Sequence, residues 1–193
     1  MASSNRLAYL RTQLRVVARL SGRVAATQDV EEMVKLVVDE LHETFAFQLA
    51  SIHRLGVDNL LRLVAGPGPL AEVTEFLLVE QPLDTGVNGR VARSGATALV
   101  HDTRLDRDYV EGDPSTDPRS ELTVPIVVDD RIWGVDNLEA IEREAFDDAD
   151  AALVEAIAAG LGVAIHRASL VSSLEHAFMD VLGVLTSTVE AKD

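Results

Sequence analysis

The chain has 193 residues, 47% of them hydrophobic and 25% charged, and carries a net charge of −15. That length holds one core plus some helical extension, and that charge repels nucleic-acid backbones and anionic membranes, which argues against a DNA-binding role for the chain taken alone. There is no cysteine, which excludes disulfides, thiolate nucleophiles, CxxC metal sites and thioether-linked chromophores.

No apolar run approaches the ~20 residues of a membrane span, and no charged-then-apolar signal peptide opens the chain. The expectation is a cytoplasmic protein with neither nucleic acid nor membrane as partner.

In chain order, Leu7, Leu10, Leu14, Val17, Ser21 and Val24 form an a/d seam flanked by Arg6, Arg11, Arg15, Arg19 and Arg23. Two readings are open: a helix lying on its own domain, or a dimer helix spanning residues 4–27. The narrow stripe among arginines favours the dimer helix.

Asp29, with Glu32 three residues on, marks a helix start. Val30, Met33, Val34, Val37, Val38 and Leu41 then recur at helical spacing to about Glu43, as a core-facing helix does. Phe47 to Arg54 and Leu60 to Ala65 read as strands joined by the turn Gly56–Asn59. The following Gly66-Pro67-Gly68-Pro69-Leu70-Ala71 formally matches GxGxx[GA]. Pro67 and Pro69 lack the N–H groups a phosphate cradle needs, so it is read as a loop.

A short strand is expected within Glu75–Pro82, then a helix over Val87–Arg93 stopped by Ser94-Gly95. The helix start beside Gly86 and Gly89 suits either a polar ligand edge or tight packing alone. Ala98 to His101 is a short strand ending at Asp102. The polar stretch Thr103–Arg119, with Asp106, Asp108, Glu111 and Asp113, is a lid or solvated loop. It fails the EF-hand pattern because Val110 stands where the third ligand belongs. No metal site is expected.

Ser120 to Val128 alternates, with Pro125 implying an irregular ladder. Asp129-Asp130 forms the hairpin connection, and Ile132 to Glu139 the return strand. Phe146 and the acids Asp147, Asp148 and Asp150 open a helix of roughly 45 residues, about 65–70 Å at 1.5 Å per residue. Leu161, Ala164, Ala168, Val171, Leu174, Phe178, Val181, Leu185 and Thr188 mark a seam along it, irregular near Leu174.

The ordered set Gly86-x-x-Gly89, Asp102, Arg119-Ser120-Glu121 leading into Val124-Pro125-Ile126, Gly134-Val135, and Phe146 with Asp150 resembles the GAF domain, a ligand-sensing module of signalling proteins. The resemblance covers residues 29–168. It implies an α+β fold: a central antiparallel sheet of about five or six strands flanked by helices, with long N- and C-terminal signalling helices. It implies a pocket on the sheet face away from the helices. The ligand-binding candidates are then Phe47, Ser51, His53, Val87, Asn88, Asp102, Tyr109, Arg119, Ser120, Glu121 and Thr123.

Cyclic-nucleotide-binding relatives carry Asn-Lys, a spacer and Phe-x-x-x-Asp-Glu. Here Phe146 and Asp150 match, Ala151 replaces the Glu, and Ala140-Ile141 stand where Asn-Lys would. A small molecule is expected, with a cyclic nucleotide the weaker candidate. Haem-binding relatives use a histidine, for which His42, His53 and His101 are candidates. Relatives that reduce free methionine sulfoxide, or attach a bilin, use cysteine.

Residues 185–193, ending Glu190-Ala191-Lys192-Asp193, resemble the lead-in to HD-GYP domains, which hydrolyse cyclic di-GMP. Residues 169–193 are thus expected to be a coiled-coil extension toward an output domain after the C-terminus.

No GxSxG, HExxH or P-loop occurs, so the expectation is not an enzyme. It is instead a dimeric regulatory sensor that binds a small molecule and relays the change through its helices. The alternative is a ligand-free GAF dimerisation scaffold. The homodimer interface is assigned to Leu7, Leu10, Leu14, Val17, Leu161, Ala164, Ala168, Val171, Phe178, Val181 and Leu185.

Overall fold

The structure, a computed structural model, describes residues 15–45, 49–67, 79–110 and 117–190, with 44–45 and 181–190 as backbone alone. Helix α1 covers residues 15–26 and α2 covers Val30–Phe45. Then come β1 (Leu49–Leu55), β2 (Leu60–Ala65), β3 (Glu80–Pro82), α3 (Gly86–Ser94) and β4 (Ala98–Val100). A single 3-10 turn (Thr103–Leu105), β5 (Ser120–Val128), β6 (Arg131–Ala140) and α4 (Asp148–Glu190) complete the chain. The six strands form one antiparallel sheet in the order β3-β2-β1-β6-β5-β4. The expected α+β architecture is thus present.

Helix α2 starts by the local chemistry its sequence carries. Asp29 accepts from the Glu31 N–H at 2.9 Å, while Glu32 takes the Thr27 hydroxyl at 2.6 Å. Its apolar face, Met33, Val34, Val37, Val38 and Leu41, is buried. Helix α4 opens with a reciprocal box: Asp147 accepts from the Ala149 and Asp150 N–H groups, and Asp150 accepts from the Asp147 N–H at 3.0 Å.

Helices α1, α2 and α4 cover one face of the sheet, burying Ile52, Leu122, Val124, Ile126 and Leu138 beneath them. Gly162 seats α4 on β5, because a Cβ there would stand 2.1 Å from the Val127 carbonyl oxygen. A second, smaller core of Leu61, Val87, Val91, Ala92, Val100 and Val135 lies on the opposite face, under α3.

Three expectations about the helices need correction. The buried side of α1 is Val16, Leu20 and Val24, with Val17 half-buried and Ser21 exposed. The helix therefore lies on its own domain, tied by ion pairs from Arg19 and Arg23 to the buried Glu40. Leu161, Ala164 and Ala168, assigned to a dimer seam, are buried in this chain's own core. The exposed apolar strip of α4 is Val163, Leu170, Leu174 and Phe178. The irregular step near Leu174 is where the inward stripe ends and the outward one continues.

The third correction concerns apolar length. The segment Asp148–Asp180 is long and apolar enough to cross a membrane by composition, with a window of mean hydropathy 1.5. Half of that window is buried inside the domain, so core packing accounts for that half of its apolarity, and the rest is the exposed strip. Of the remaining seam residues, Val171 is half-buried. Leu7, Leu10 and Leu14, and the side chains of Val181 and Leu185, lie outside the described residues.

Candidate functional site

The sheet face away from α4 is built by the β5–β6 hairpin. Asp129 and Asp130 sit at φ 51° and 57°, the left-handed pair of a two-residue hairpin turn. Val128 pairs with Arg131 and Val127 with Ile132, but Ile126 pairs with Gly134. Trp133 is the extra residue of a bulge, and the bulge shifts the register by one. Beyond it Thr123 faces Asn137 and Glu121 faces Glu139. A one-residue shift exchanges the two faces of a strand. The bulge therefore turns Val135, Asn137 and Glu139 toward this face and Asp136 under the helices.

Strand β1 completes the grid, with Leu49 opposite Glu139, Ser51 opposite Asn137 and His53 opposite Val135. Close approach of β1 and β6 requires Gly134, whose Cβ would stand 2.2 Å from the His53 carbonyl oxygen. The result is a row of Ser51, Asn137 and Thr123 beside a row of Glu139 and Glu121.

Asn137 Nδ2 donates to Glu121 Oε1 at 2.5 Å, and the Thr123 hydroxyl donates to the same oxygen at 2.9 Å. Glu121 is 3% exposed. Burial, and then the facing Glu139, push its carboxyl up to about 8. Burial also pushes Glu139 up to about 7. Ser51 is fully buried, and its hydroxyl has no hydrogen-bond partner among the described residues.

Helix α3 and the turn after β4 roof one end of this face. Val87 packs in the second core, and the half-buried Tyr109 packs against it. Arg90 of α3 clamps the turn, reaching Asp106 at 2.8 Å and Asp108 at 2.8 Å. The clamp raises the Arg90 pKa and holds Asp106 below the usual carboxylate range, in both cases chiefly through their hydrogen bond. The Asp106 charge also reaches Glu121. Two of the loop acids thus hold the loop closed. Among the described residues no group of three or more His, Asp or Glu converges to hold a metal ion.

The sequence candidates divide as follows. Ser51, His53, Glu121 and Thr123 share the buried face, with His53 in the row of Val135. Asn88 lies at the α3 start and donates to Gln81 at 3.3 Å, its own side-chain oxygen buried without a partner among the described residues. Arg119 stands two residues before Glu121, its Nε buried and without a partner among the described residues, and two candidates turn elsewhere. Asp102 caps the 3-10 turn and pairs with Arg119 at 3.4 Å and Arg143 at 3.1 Å, an arrangement that straps the sheet edge. Ser120 belongs to the helix-side face by alternation and donates to the Glu142 carbonyl at 2.8 Å. Phe47 lies outside the described residues, as do residues 68–78.

Sequence reasoning missed Asn137 and Glu139, which stand beside Glu121, and the buried Asp136. Strand alternation combined with the hairpin turn alone would have set the register one residue off, because nothing local announces Trp133 as the bulge.

The match to the GAF domain family spans residues 27–166, and the chain belongs to that family of small-molecule-binding and regulatory domains. No curated protein sequence matches it. Among solved structures it is similar to free methionine-R-sulfoxide reductase from Neisseria meningitidis in complex with its substrate. That match has 22% identity and a TM-score of 0.75, over 82% of this chain and 91% of that one. It is also similar to the GAF domain of a phosphoenolpyruvate-protein phosphotransferase from Coxiella burnetii. Here identity is 21% and the TM-score 0.74, over 84% and 98% of the two chains. The GAF domain of the Acinetobacter phosphoenolpyruvate-protein phosphotransferase matches at 17% identity and a TM-score of 0.70, over 83% and 97%.

At these identities the likeness shows the fold. It also corrects the expectation of a non-enzyme: this fold carries reductases, so the lack of hydrolase and nucleotide motifs does not set the chain apart from catalysts.

Proposed function

We propose that the chain is the sensory module of a cytoplasmic signalling protein, and that the face bearing Ser51, Glu121, Thr123, Asn137 and Glu139 holds a small molecule. One observation carries this reading. The sheet buries a carboxyl–amide–hydroxyl set on the side where a structural core would place aliphatic residues, and it does so at a cost visible in the raised carboxyl pKa values. A ligand-free scaffold has no use for that arrangement. The roof clamped by Arg90 supplies an element whose position a bound molecule can bias.

The relay is assigned to α4, whose exposed Leu170, Leu174 and Phe178 continue beyond the domain. Beside them an apolar groove of ≈ 310 Å³ runs between α1 and α4, lined by Val17, Val24, Val163 and Ala164 among others. Both features support a homodimer through this side of the molecule. The likeness of residues 185–193 to an HD-GYP lead-in supports an output domain that hydrolyses cyclic di-GMP. A ligand transmits through such helices only if it binds two of their arrangements with different affinity.

A thermal-shift screen of the purified chain against cyclic nucleotides, nucleobases, amino acids, haem and small carboxylates tests the sensor. A ligand of the folded state at a hundredfold excess over its Kd adds about 2.7 kcal/mol and raises the midpoint. Sedimentation tests the dimer. A monomer at tens of micromolar, or no shift with any compound, would remove the corresponding half of the proposal.

A further inference from the structure

The site's own charges narrow what it can hold. Glu121 and Glu139 are direct partners across β5 and β6, a placement that destabilises a sheet when both are ionised. Among the described residues neither carboxylate pairs with a lysine or arginine. Of the cations on this side, Arg90 of α3 is taken up by Asp106 and Asp108, and Arg119, two residues before Glu121, pairs with Asp102 at 3.4 Å. Asn137 and Thr123 hold Glu121 by neutral donors, which orient the carboxyl without neutralising it. In the adjoining row stands Ser51, fully buried and without a partner among the described residues. Its hydroxyl is a rotor free to accept or donate.

From this geometry, and resting on the reading of the face as a ligand site, we infer that the recognised group is cationic. An ammonium, amidinium or guanidinium would seat its N–H donors between Glu121 and Glu139, with the Ser51 hydroxyl as a further acceptor. An anionic head group would meet Glu121, Glu139 and Asp106 together, while Arg90 and Arg119 are each already engaged by aspartates. A cation supplies the missing charge and satisfies several acceptors at once.

The free site holds protons that a cation displaces, since Glu121 titrates near 8 and Glu139 near 7. The charged and titratable groups near this pair are Asp106 from the turn after β4, Arg119, two residues before Glu121 and paired with Asp102, and, two strand positions along from Ser51, His53 of β1. Arg90 faces the acids of the turn. Cation binding therefore releases protons and tightens as the carboxyls ionise.

Four probes with one ring and different head groups separate the possibilities: benzamidine, benzylamine, benzyl alcohol and benzoate. Dissociation constants come from ligand-observed NMR at about pH 6.5 and 8.5, and the proton count from calorimetry in two buffers of different ionisation enthalpy. The expected result is binding of the two cations ~tenfold tighter than the alcohol, no binding of benzoate, and proton release. Cation affinity should rise ~tenfold between the two pH values as the carboxyls ionise. The paired substitution Glu121→Gln and Glu139→Gln should abolish the cation preference and leave the alcohol unchanged, with folding checked by circular dichroism. The wild-type pH profile tests the same point should the variant misfold.

Benzoate or benzyl alcohol binding as tightly as the cations would overturn the charge assignment while leaving a ligand site standing. Cation binding that persists in the folded double variant would place it elsewhere and also overturn the proposal. Silence of all four probes, together with silence of the wider compound screen, would remove the ligand site and this inference with it.

Discussion

Replacing Asp136 by Asn offers the sharpest check on how this domain is assembled. Asp136 is fully buried on the helix-side face, between Ile52 of β1 and Val124 of β5. Neither side-chain oxygen has a partner among the described residues. Burial pushes its carboxyl from the ordinary 3.8 up to about 7. Between those two values the folded chain keeps a proton that the unfolded chain has lost. Stability therefore falls as pH rises from about 4 to about 7 and levels above it.

A displacement of about three pH units corresponds to ~4 kcal/mol at the top of that range and about 2 kcal/mol at pH 5. Asn keeps the shape and removes the titration. Its buried amide has its own desolvation cost, but that cost does not change with pH. Glu121 and Glu139 titrate with the same sign in both proteins and cancel in the difference. Urea melts from pH 5 to 8.5 should show Asp136→Asn gaining on the wild type by ~2 kcal/mol as pH rises. In a chain of this size that is roughly a 4–8 °C gain in relative midpoint. Parallel stability curves for the two proteins would refute the reasoning and mean that the carboxylate is solvated or paired.

Two further perturbations follow from the packing. Gly160 and Gly162 lie on one helix, yet a Cβ meets nothing within 4 Å at Gly160 and stands 2.1 Å from the Val127 carbonyl oxygen at Gly162. Gly160→Ala should stabilise by ~1 kcal/mol through helix propensity. Gly162→Ala should cost about 1–3 kcal/mol as α4 lifts from β5; equal effects in thermal melts would contradict the seating of α4. Arg90→Ala should release the turn after β4, raising amide exchange at Leu105–Val110 by ~tenfold with little change in global stability. Unchanged exchange there would show that Arg90 does not hold the roof.

Much of this fold was legible because its signals are local. The 3.6-residue spacing of Met33 to Leu41, the alternation of Leu122, Val124 and Ile126, and the acids opening α4 depend on neighbours within a turn or a strand. Their order also pointed to the family. Of the candidate site, Ser51, His53, Glu121 and Thr123 could be read because β1 and β5 are regular where these residues stand.

What the sequence could not decide is which surface each stripe meets. On α1 the sets built on Val17 and on Val16 both keep helical spacing. Only the positions of α2 and α4 select Val16, Leu20 and Val24. On α4 the inward Leu161, Ala164 and Ala168 and the outward Val163, Leu170 and Leu174 are both apolar stripes of one helix. The sheet beneath separates core from strip.

In β6 the decision rests on one residue. The Trp133 bulge arises from pairing with a distant strand, and its one-residue shift sends Asn137 and Glu139 to the site face and Asp136 to the core. Periodicity fixes the elements because it is set by backbone geometry within each segment. Facing and register are fixed by contacts between segments far apart in the chain, and only the tertiary structure holds those.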